Sequence, residues 1–179
     1  MSTQNNFLIK EVESTNEFKK VYSVFRNWPY NELWPDEEIE MEFEKAKEKG
    51  KVFGYYTDGE CVGIISFYDI IPNEHPIVYD KNLKVLYFSD VAVLEEHRKK
   101  GIATTLINYM LDYATINKYD KVYMRTMQPE KSMSYKIVIA RGYKMLSGVT
   151  ENKKMQRVNG KVEADDRIFL EYDVKGEVS

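Results

Sequence analysis

A strand-like apolar segment that runs into a basic, glycine-containing turn and then into a helix most constrains this chain. The segment reads Ser89-Asp90-Val91-Ala92-Val93-Leu94-Glu95-Glu96-His97-Arg98-Lys99-Lys100-Gly101-Ile102-Ala103-Thr104. The first N–H groups of a helix lack intrahelical partners and carry the positive end of its dipole, so a helix beginning here offers an anion site. Gly101 lets an oxygen approach its N–H closely, and Ala103 keeps the next turn narrow. Arg98, Lys99 and Lys100 add positive charge, and together these features suit a diphosphate.

The same pattern has a plainer interpretation, because a basic turn ahead of an amphipathic helix is common in proteins that bind no phosphate. Two other phosphate-binding patterns, Gly-x-x-x-x-Gly-Lys-Ser/Thr and Gly-x-Gly-x-x-Gly, do not occur in the chain. The order of elements around the turn therefore decides between the two interpretations. Residues 98–104 are called the phosphate loop below.

Length and composition predict a single domain over residues 1–179. The chain has 179 residues, 43% of them hydrophobic, which suffices for one core. No apolar run approaches the roughly 20 residues that span a bilayer, and the polar start of the chain lacks the basic region of a signal peptide. The lone Cys61 fits a reducing compartment, so we expect a cytoplasmic protein. A net charge of −3 disfavours a nucleic-acid surface, and His75 and His97 lack metal-site spacing.

Capping signals and periodicity predict four helices. A capping box at Ser14 begins the first, in which apolar side chains recur at helical spacing. Pro35 begins the second, with acidic residues in its first turn, and Gly50 ends it. The third begins at the phosphate loop. A shorter fourth helix covers residues 132–141, with Gly142 as its left-handed cap.

Strand patterns alternate with these helices and predict a mixed α/β (α+β) fold with a central sheet of about seven strands. The strands are predicted at 7–12, 52–56, 62–68, 85–93, 121–127, 143–146 and 167–172. Asp58-Gly59 predicts a hairpin turn. The polar segment 150–166 is either a long solvated loop or, because Asn159-Gly160 is a hairpin-turn signal, a short extra hairpin.

The strand, the Arg-x-x-Gly-x-Ala loop and the following helix together resemble the cofactor-binding signature of the GNAT superfamily of N-acetyltransferases, which bind acetyl-CoA. The resemblance covers most of the chain, from the first strand to the last. It implies a mostly antiparallel sheet whose central strands splay apart, with the pantetheine arm of the cofactor between them. It also implies that the strand supplies backbone contacts to this arm and that the loop holds the diphosphate. The implied cofactor-binding residues are Val91, Ala92, Val93, Arg98, Lys99, Lys100, Gly101, Ile102, Ala103 and Thr104.

The chemistry that the resemblance implies is direct transfer of acetyl from the thioester to an amine, which needs a proton acceptor. An aliphatic amine has a pKa near 10.4, so only about one molecule in a few thousand is neutral at pH 7. A carboxylate near the acceptor removes the proton, often through water. Asp90, just before the cofactor-contacting residues, is the best-placed candidate. A structural Asp that stabilises a bulge in the strand is the alternative interpretation.

The fourth helix departs from the family pattern. Many members carry Leu-Tyr-Glu-Lys-x-Gly-Phe there, and the Tyr protonates the departing thiolate. Counting back from Gly142, that position is Val138, which donates no proton. Tyr135 lies three residues earlier on a neighbouring part of the same face, where it either takes the role of acid or, as we prefer, packs.

An aromatic segment between the first two helices is the candidate acceptor pocket, because the family uses this segment as the pocket wall. Trp28, Tyr30 and Glu32 suit a cationic amine through aromatic faces and a negative charge. The alternative is that Trp28 and Trp34 pin an irregular loop to the core. The Glu/Lys run at 40–51 predicts a solvated helix face.

These features together predict an acetyl-CoA-dependent N-acetyltransferase that acts on a primary amine of a small molecule or a protein. A non-catalytic acyl-CoA-binding module is the first alternative, because Val138 replaces the family acid. A different nucleotide-binding α/β protein is the second, and the missing glycines disfavour it. We expect no metal, nucleic-acid or membrane partner, and a homodimer remains open.

Overall fold

The helices and strands follow the order that the sequence patterns predict. The structure, a computed structural model, describes residues 7–27, 35–152, 154–156 and 159–174. The strands are β1 (Phe7–Glu11), β2 (Gly50–Thr57), β3 (Glu60–Asp69), β4 (Val85–Val93), β5 (Lys121–Met127), β6 (Lys144–Glu151), β7 (Lys154–Gln156), β8 (Val162–Ala164) and β9 (Arg167–Asp173). The helices are α1 (Thr15–Tyr22), α2 (Asp36–Lys49), α3 (Ile102–Ile116) and α4 (Tyr135–Ile139), with 3-10 turns at Ser23–Asn27 and Glu95–His97.

Seven strands form one sheet in the order β1-β2-β3-β4-β5-β9-β6, and β7 pairs with β8 in a separate antiparallel hairpin. β4 and β5 are parallel because α3 carries the chain between them, whereas β1 with β2, and β9 with both β5 and β6, are antiparallel. The parallel register ends at Phe88 opposite Met124. β4 continues to Val93 and β5 to Met127, so their pairing stops before either strand ends. The predicted mixed sheet with splayed central strands is confirmed.

The chain forms two compact units, each drawn from separate stretches of sequence. The first comprises residues 1–67 and 90–108, and the second comprises residues 68–89 and 109–179. The end of β4 and the start of α3, which carry the predicted cofactor site, belong to the first unit. No helix in the described part of the chain is both long and apolar enough to cross a membrane.

Close packing at two points positions the elements of the first unit. Phe18 of α1 stacks on Phe43 of α2 with ring centroids 4.8 Å apart, and both side chains are buried. Gly63 of β3 faces the start of α3, where an added Cβ would lie 2.9 Å from Ile102 Cγ2 and 3.3 Å from Leu106 Cδ1. A larger residue at position 63 would displace the start of α3, so Gly63 helps to set the position of the phosphate loop.

The capping and turn signals of the first unit form in part as predicted. Ser14 Oγ accepts the N–H of Glu17 at 3.4 Å, which is one half of the capping box. The Glu17 carboxylate instead accepts the hydroxyl of Tyr56 on β2, at 3.0 Å. Asp58 and Gly59 both have positive φ (52° and 81°), as a tight hairpin between β2 and β3 requires.

An aromatic cluster forms the core of the second unit on β4, β5 and β9. Its buried members are Ile77, Val85, Tyr87, Tyr123 and Phe169. His75 stacks on Tyr87 with ring centroids 4.1 Å apart, and its Nε2 lies 3.4 Å from the hydroxyl of Tyr68. The imidazole of His75 is therefore part of the packing of this cluster.

Helix α4 is shorter than the helix predicted over 132–141. Ser132 lies outside it because its hydroxyl is 2.7 Å from the Thr126 hydroxyl and accepts the N–H of Tyr135 at 3.1 Å. Both bonds hold Ser132 in the turn before the helix, which begins at Tyr135 with Ser134 at its N-cap position. The left-handed Gly142 (φ 91°) follows the helix as predicted.

The segment 150–166 contains the short extra hairpin rather than only a solvated loop. Strand β6 continues to Glu151, and β7 then pairs with β8 from Lys154 opposite Ala164. Gly160, in the turn between β7 and β8, has φ of 78°. The hairpin alternative is therefore confirmed.

Candidate active site

The phosphate loop is a turn with two left-handed residues that leads directly into α3. Lys99 has φ of 61° and Gly101 has φ of 81°. Successive N–H groups in such a turn point into one concavity, which is an arrangement that binds anions. The Gly101 carbonyl accepts the N–H of Thr105 at 2.9 Å, so α3 starts here and its first N–H groups face the same end. Gly101 adopts the left-handed backbone that the turn needs. Among the described residues, apart from its chain neighbours, none has an atom within 4 Å of its ideal Cβ, so the turn is open to a ligand.

Arg98 links the loop to the preceding strand. Its Nε donates to the carbonyl oxygen of Val93 at 3.2 Å, and the side chain is half-buried. Lys99 and Lys100 are exposed. The loop therefore carries one fixed and two solvated cations, whose charges add to the dipole of α3. This chemistry fits a diphosphate.

The end of β4 carries Asp90 and the three residues predicted to contact the pantetheine arm, and a 3-10 turn at Glu95–His97 separates it from the phosphate loop. Ala92 and Val93 are buried, whereas Asp90 and Val91 are half-exposed. The N–H of Leu94 donates to Val62 of β3 at 2.9 Å and fixes the end of the strand. The structure thus brings the predicted proton acceptor and the predicted cofactor-binding residues into one unit.

Tyr22, the last residue of α1, lies close enough to Asp90 for the charge of that carboxylate to act on its phenol. The phenol is buried, and burial, followed by the negative charges of Asp90 and Glu42, raises its pKa well above the usual value of 10.0. The hydroxyl therefore stays protonated at neutral pH. Tyr22 was predicted only as one apolar member of the α1 stripe, and no sequence signal links it to Asp90.

Glu42 of α2 is a second carboxylate whose charge interacts with that of Asp90, and it lies within the run at 40–51 that was predicted to form a solvated face. Its side chain is half-buried, and burial together with the charge of Asp90 raises its pKa, although Lys45 and Lys49 act in the opposite direction. The sequence contained a signal for this partial burial of Glu42. The residue directly precedes the buried Phe43 and so borders the apolar stripe of α2.

The second unit contains the two positions considered for the acid that protonates the departing thiolate, Val138 and Tyr135. Val138 is fully buried in α4, so the position where many family members have the acid is part of the core. Tyr135 is half-exposed, and its side chain makes no hydrogen bond or ring contact to another described residue. Its role as an acid or as a packing residue stays a prediction.

The predicted acceptor residues Trp28, Tyr30 and Glu32 lie outside the described residues. The role of these three residues in the acceptor pocket therefore stays a prediction. On either side of them in the chain, an ion pair joins Arg26 Nη2 to Asp36 Oδ1 of α2 at 2.5 Å.

Cys61 of β3 has the properties of a core residue. Its side chain is buried, its Sγ lies 3.5 Å from the Gly63 carbonyl oxygen, and burial raises its pKa to about 11. A thiol that is protonated at neutral pH is a poor nucleophile, so Cys61 takes no part in the chemistry considered below.

Comparison with known proteins identifies the family. The model of the acetyltransferase (GNAT) family matches residues 16–133, which is more than half of the chain. The match contains both the end of β4 and the phosphate loop. The protein therefore belongs to the GNAT family of acetyltransferases, as the resemblance of the loop predicted.

Individual relatives agree with this assignment at low sequence identity. Streptothricin acetyltransferase A of Bacillus subtilis is 25% identical over 99 residues, which are 55% of this chain and 50% of that protein, so the match spans about half of the relative. An N-acetyltransferase from Staphylococcus aureus Mu50 has the same fold, with a TM-score of 0.71 at 17% identity over 95% of this chain and 99% of that chain. The Salmonella typhimurium protein yncA, solved with its cofactor acetyl-CoA, gives 0.68 at 14% identity over 97% of each chain.

Proposed function

We propose that this protein is an acetyl-CoA-dependent N-acetyltransferase that transfers acetyl to a primary amine of a small molecule or a protein by direct attack. The observation that carries the proposal is the end of β4, which contains Asp90, followed after one 3-10 turn by a phosphate loop with left-handed Lys99 and Gly101. This arrangement places an anion site and a half-exposed carboxylate in the same unit. Membership of the GNAT family supports the same activity.

The cofactor-binding roles divide between the strand and the loop. Residues 98–104 hold the diphosphate through backbone N–H groups and positive charge, and the backbone of residues 91–93 contacts the pantetheine arm. Bound acetyl-CoA supplies the acetyl group as a thioester. A backbone N–H from this strand polarises the thioester carbonyl, and a donor of this kind contributes on the order of 3 kcal/mol to transition-state stabilisation.

Asp90 accepts the proton that the acceptor ammonium must lose before its nitrogen attacks. The carboxylate is half-exposed, so water or an amine can reach it. Trp28, Tyr30 and Glu32 form the wall of the acceptor pocket in this proposal, as the family resemblance implies. The relative named for streptothricin makes an amine of a small molecule a reasonable first acceptor.

The thiolate of CoA leaves without help from a side-chain acid. Val138 is buried where many family members have a Tyr, and a thiolate is a fair leaving group unaided. We therefore expect Tyr135→Phe to change kcat less than about tenfold, measured as thiol release at saturating acetyl-CoA. A drop of roughly a hundredfold with unchanged CoA affinity would make Tyr135 the acid.

An amine panel tests the proposed function. Thiol release from acetyl-CoA is measured with small monoamines, diamines, streptothricin and a peptide with a free α-amino group, and a reaction without amine measures background hydrolysis. At least one amine is expected to give release well above that background, with mass spectrometry detecting the acetylated product. Isothermal titration with CoA and with ATP accompanies the panel. We expect CoA to bind and ATP not to bind.

Two results would contradict the proposal in different ways. CoA binding without amine-dependent release over the whole panel would favour the non-catalytic acyl-CoA-binding module, for which the buried Val138 is the supporting observation. ATP binding without CoA binding would favour a different nucleotide-binding protein.

A further inference from the structure

Two consecutive residues of β3, Val62 and Gly63, contact both parts of the proposed cofactor site. The Val62 carbonyl oxygen accepts the N–H of Leu94 at 2.9 Å, directly after the residues proposed to contact the pantetheine arm. Gly63 is buried, and an added Cβ would lie 3.4 Å from the Ala92 carbonyl oxygen of β4 and 2.9 Å from Ile102 Cγ2 of α3. Strand β3 therefore supports both the end of β4 and the helix that follows the phosphate loop.

The missing side chain of Gly63 sets how closely α3 approaches β4. Carbon atoms pack at about 3.5 to 4.0 Å, so a methyl group at 2.9 Å from Ile102 Cγ2 would push α3 outward by about half an ångström or more. The branched side chain of Ile102 has little rotamer freedom in a helix, and Leu106 beside it is fully buried, so the helix itself must move. Gly63 is not among the glycines with positive φ, so alanine can adopt its backbone and would act through packing.

A second contact joins the two parts of the site directly. The hydrogen bond from Arg98 Nε to the Val93 carbonyl oxygen, at 3.2 Å, links the first residue of the phosphate loop to the last residue of β4. The spacing between the strand end and the loop is thus fixed both through β3 and by this bond. A ligand that fills both parts meets a preformed spacing, and preformed geometry lowers the cost of binding.

We propose that Gly63 is a positioning residue that sets the spacing between residues 91–93 and the phosphate loop, and that this spacing makes the protein select intact acetyl-CoA over ligands that fill only one part. The inference rests on the proposed cofactor-binding roles of these residues. A ligand with only the pantetheine arm or only the diphosphate binds independently of the spacing. Acetyl-CoA carries both, and it gains from binding the second part only while the spacing matches the molecule.

Gly63→Ala is expected to cause a loss that is selective for the intact cofactor. Isothermal titration compares CoA with phospho-ADP, the part of CoA that carries the diphosphate without the pantetheine arm. The affinity for CoA should fall by about tenfold or more, since displacements of about 1 Å in a positioned site cost up to a hundredfold, while that for phospho-ADP stays within about twofold. In the acetyl-transfer reaction, kcat/KM should fall for acetyl-CoA but not for S-acetylpantetheine. Adding Ile102→Leu, which removes the branched methyl at the closest contact, should restore affinity for CoA.

Gly54→Ala is the matched control for overpacking of the core. Gly54 is a buried glycine of β2 in the same unit, and its φ is likewise not positive. An added Cβ there would lie 2.7 Å from Tyr56 Cε2 and 2.9 Å from Cys61 Sγ, neither of which belongs to the proposed cofactor site. This variant should lower the melting temperature as Gly63→Ala does and leave both affinities unchanged.

A folded Gly63→Ala variant overturns the inference if its affinity for CoA is unchanged or falls in parallel with that for phospho-ADP. An equal and selective fall in Gly54→Ala overturns it as well, because overpacking anywhere in the unit would then suffice. If Gly63→Ala does not fold, Leu106→Val decides alone. It opens a gap on the α3 side of Gly63, so its affinity for CoA should fall more than that for phospho-ADP, and parallel affinities reject the proposal.

Failure of the proposed function gives a different result. Absence of CoA binding in the unmodified protein would overturn the cofactor assignment and this inference with it. Normal CoA binding with the same ratio of affinities in all variants would overturn only the role of Gly63.

Discussion

Replacing Gly101 with aspartate is expected to abolish CoA binding while the protein remains folded. The new carboxylate would stand at the mouth of the anion site, where two like charges about 4 Å apart near a protein surface repel by about 4 kcal/mol. That repulsion corresponds to roughly a thousandfold loss of affinity. The fold should tolerate the change, because no described residue beyond the chain neighbours has an atom within 4 Å of the ideal Cβ. The φ of 81° adds about 1 kcal/mol of backbone strain. Isothermal titration with CoA and circular dichroism measure the two effects.

Two control variants isolate the charge from the backbone strain. Gly101→Asn has the same left-handed backbone without the charge, and we expect it to keep most of the affinity for CoA. Gly59→Asp introduces the same residue at the same φ of 81°, again in open space, but in the turn between β2 and β3. Its CoA affinity should equal that of the unmodified protein. A folded Gly101→Asp variant that binds CoA normally would refute the assignment of residues 98–104 as the diphosphate site.

Asp90→Asn is expected to lower kcat/KM by about 10²- to 10⁴-fold near neutral pH, which is the usual range for a positioned acid or base. Asparagine keeps the shape of the side chain, so CoA affinity should be unchanged. The loss should shrink as pH rises towards the pKa of the amine, because more acceptor is then neutral without enzymatic help. Measurement of kcat/KM from neutral to alkaline pH tests both parts.

The structural interpretation of Asp90 makes a different prediction. If the residue only stabilises a bulge in β4, Asp90→Asn should lower the melting temperature, weaken CoA binding and show no rescue at high pH. Asp112→Asn, at an exposed position on α3, controls for the general loss of one carboxylate and should behave as the unmodified protein. A stable Asp90→Asn variant with an unchanged pH profile would direct the search for the base to Glu42 or Glu32.

Features of this protein that depend on residues close together in the chain could be read from the sequence. Strand β4 and the phosphate loop are continuous, and Gly101 must adopt a left-handed conformation within a turn that its own neighbours define. The hairpins at Asp58-Gly59 and around Gly160 follow from the same local preference. Helix α3 could be predicted because its apolar residues recur at helical spacing. In each case the local backbone preference and the pattern of buried side chains predict the same element.

Predictions failed where a side chain finds its partner in a distant element. Helix α4 starts late because the Ser132 hydroxyl bonds to Thr126 at the end of β5, and half of the capping box at Ser14 is lost because Glu17 bonds to Tyr56 of β2. Local patterns assign such polar groups to the nearest helix end. A partner from another strand competes with that assignment, and it becomes visible only when the strands have assembled.

The phosphate loop was determined by the sequence itself, since its backbone geometry, its charge and the start of the helix that follows all lie within residues 89–104. The surroundings of Asp90 were decided by the tertiary structure. Tyr22 ends α1, Glu42 borders the buried face of α2 and Asp90 lies on β4, so their meeting depends on how each helix is rotated when it packs in the first unit. Helix rotation is set by the burial of apolar faces, as where Phe18 stacks on Phe43, and the polar groups at the edge of those faces are brought together as a result.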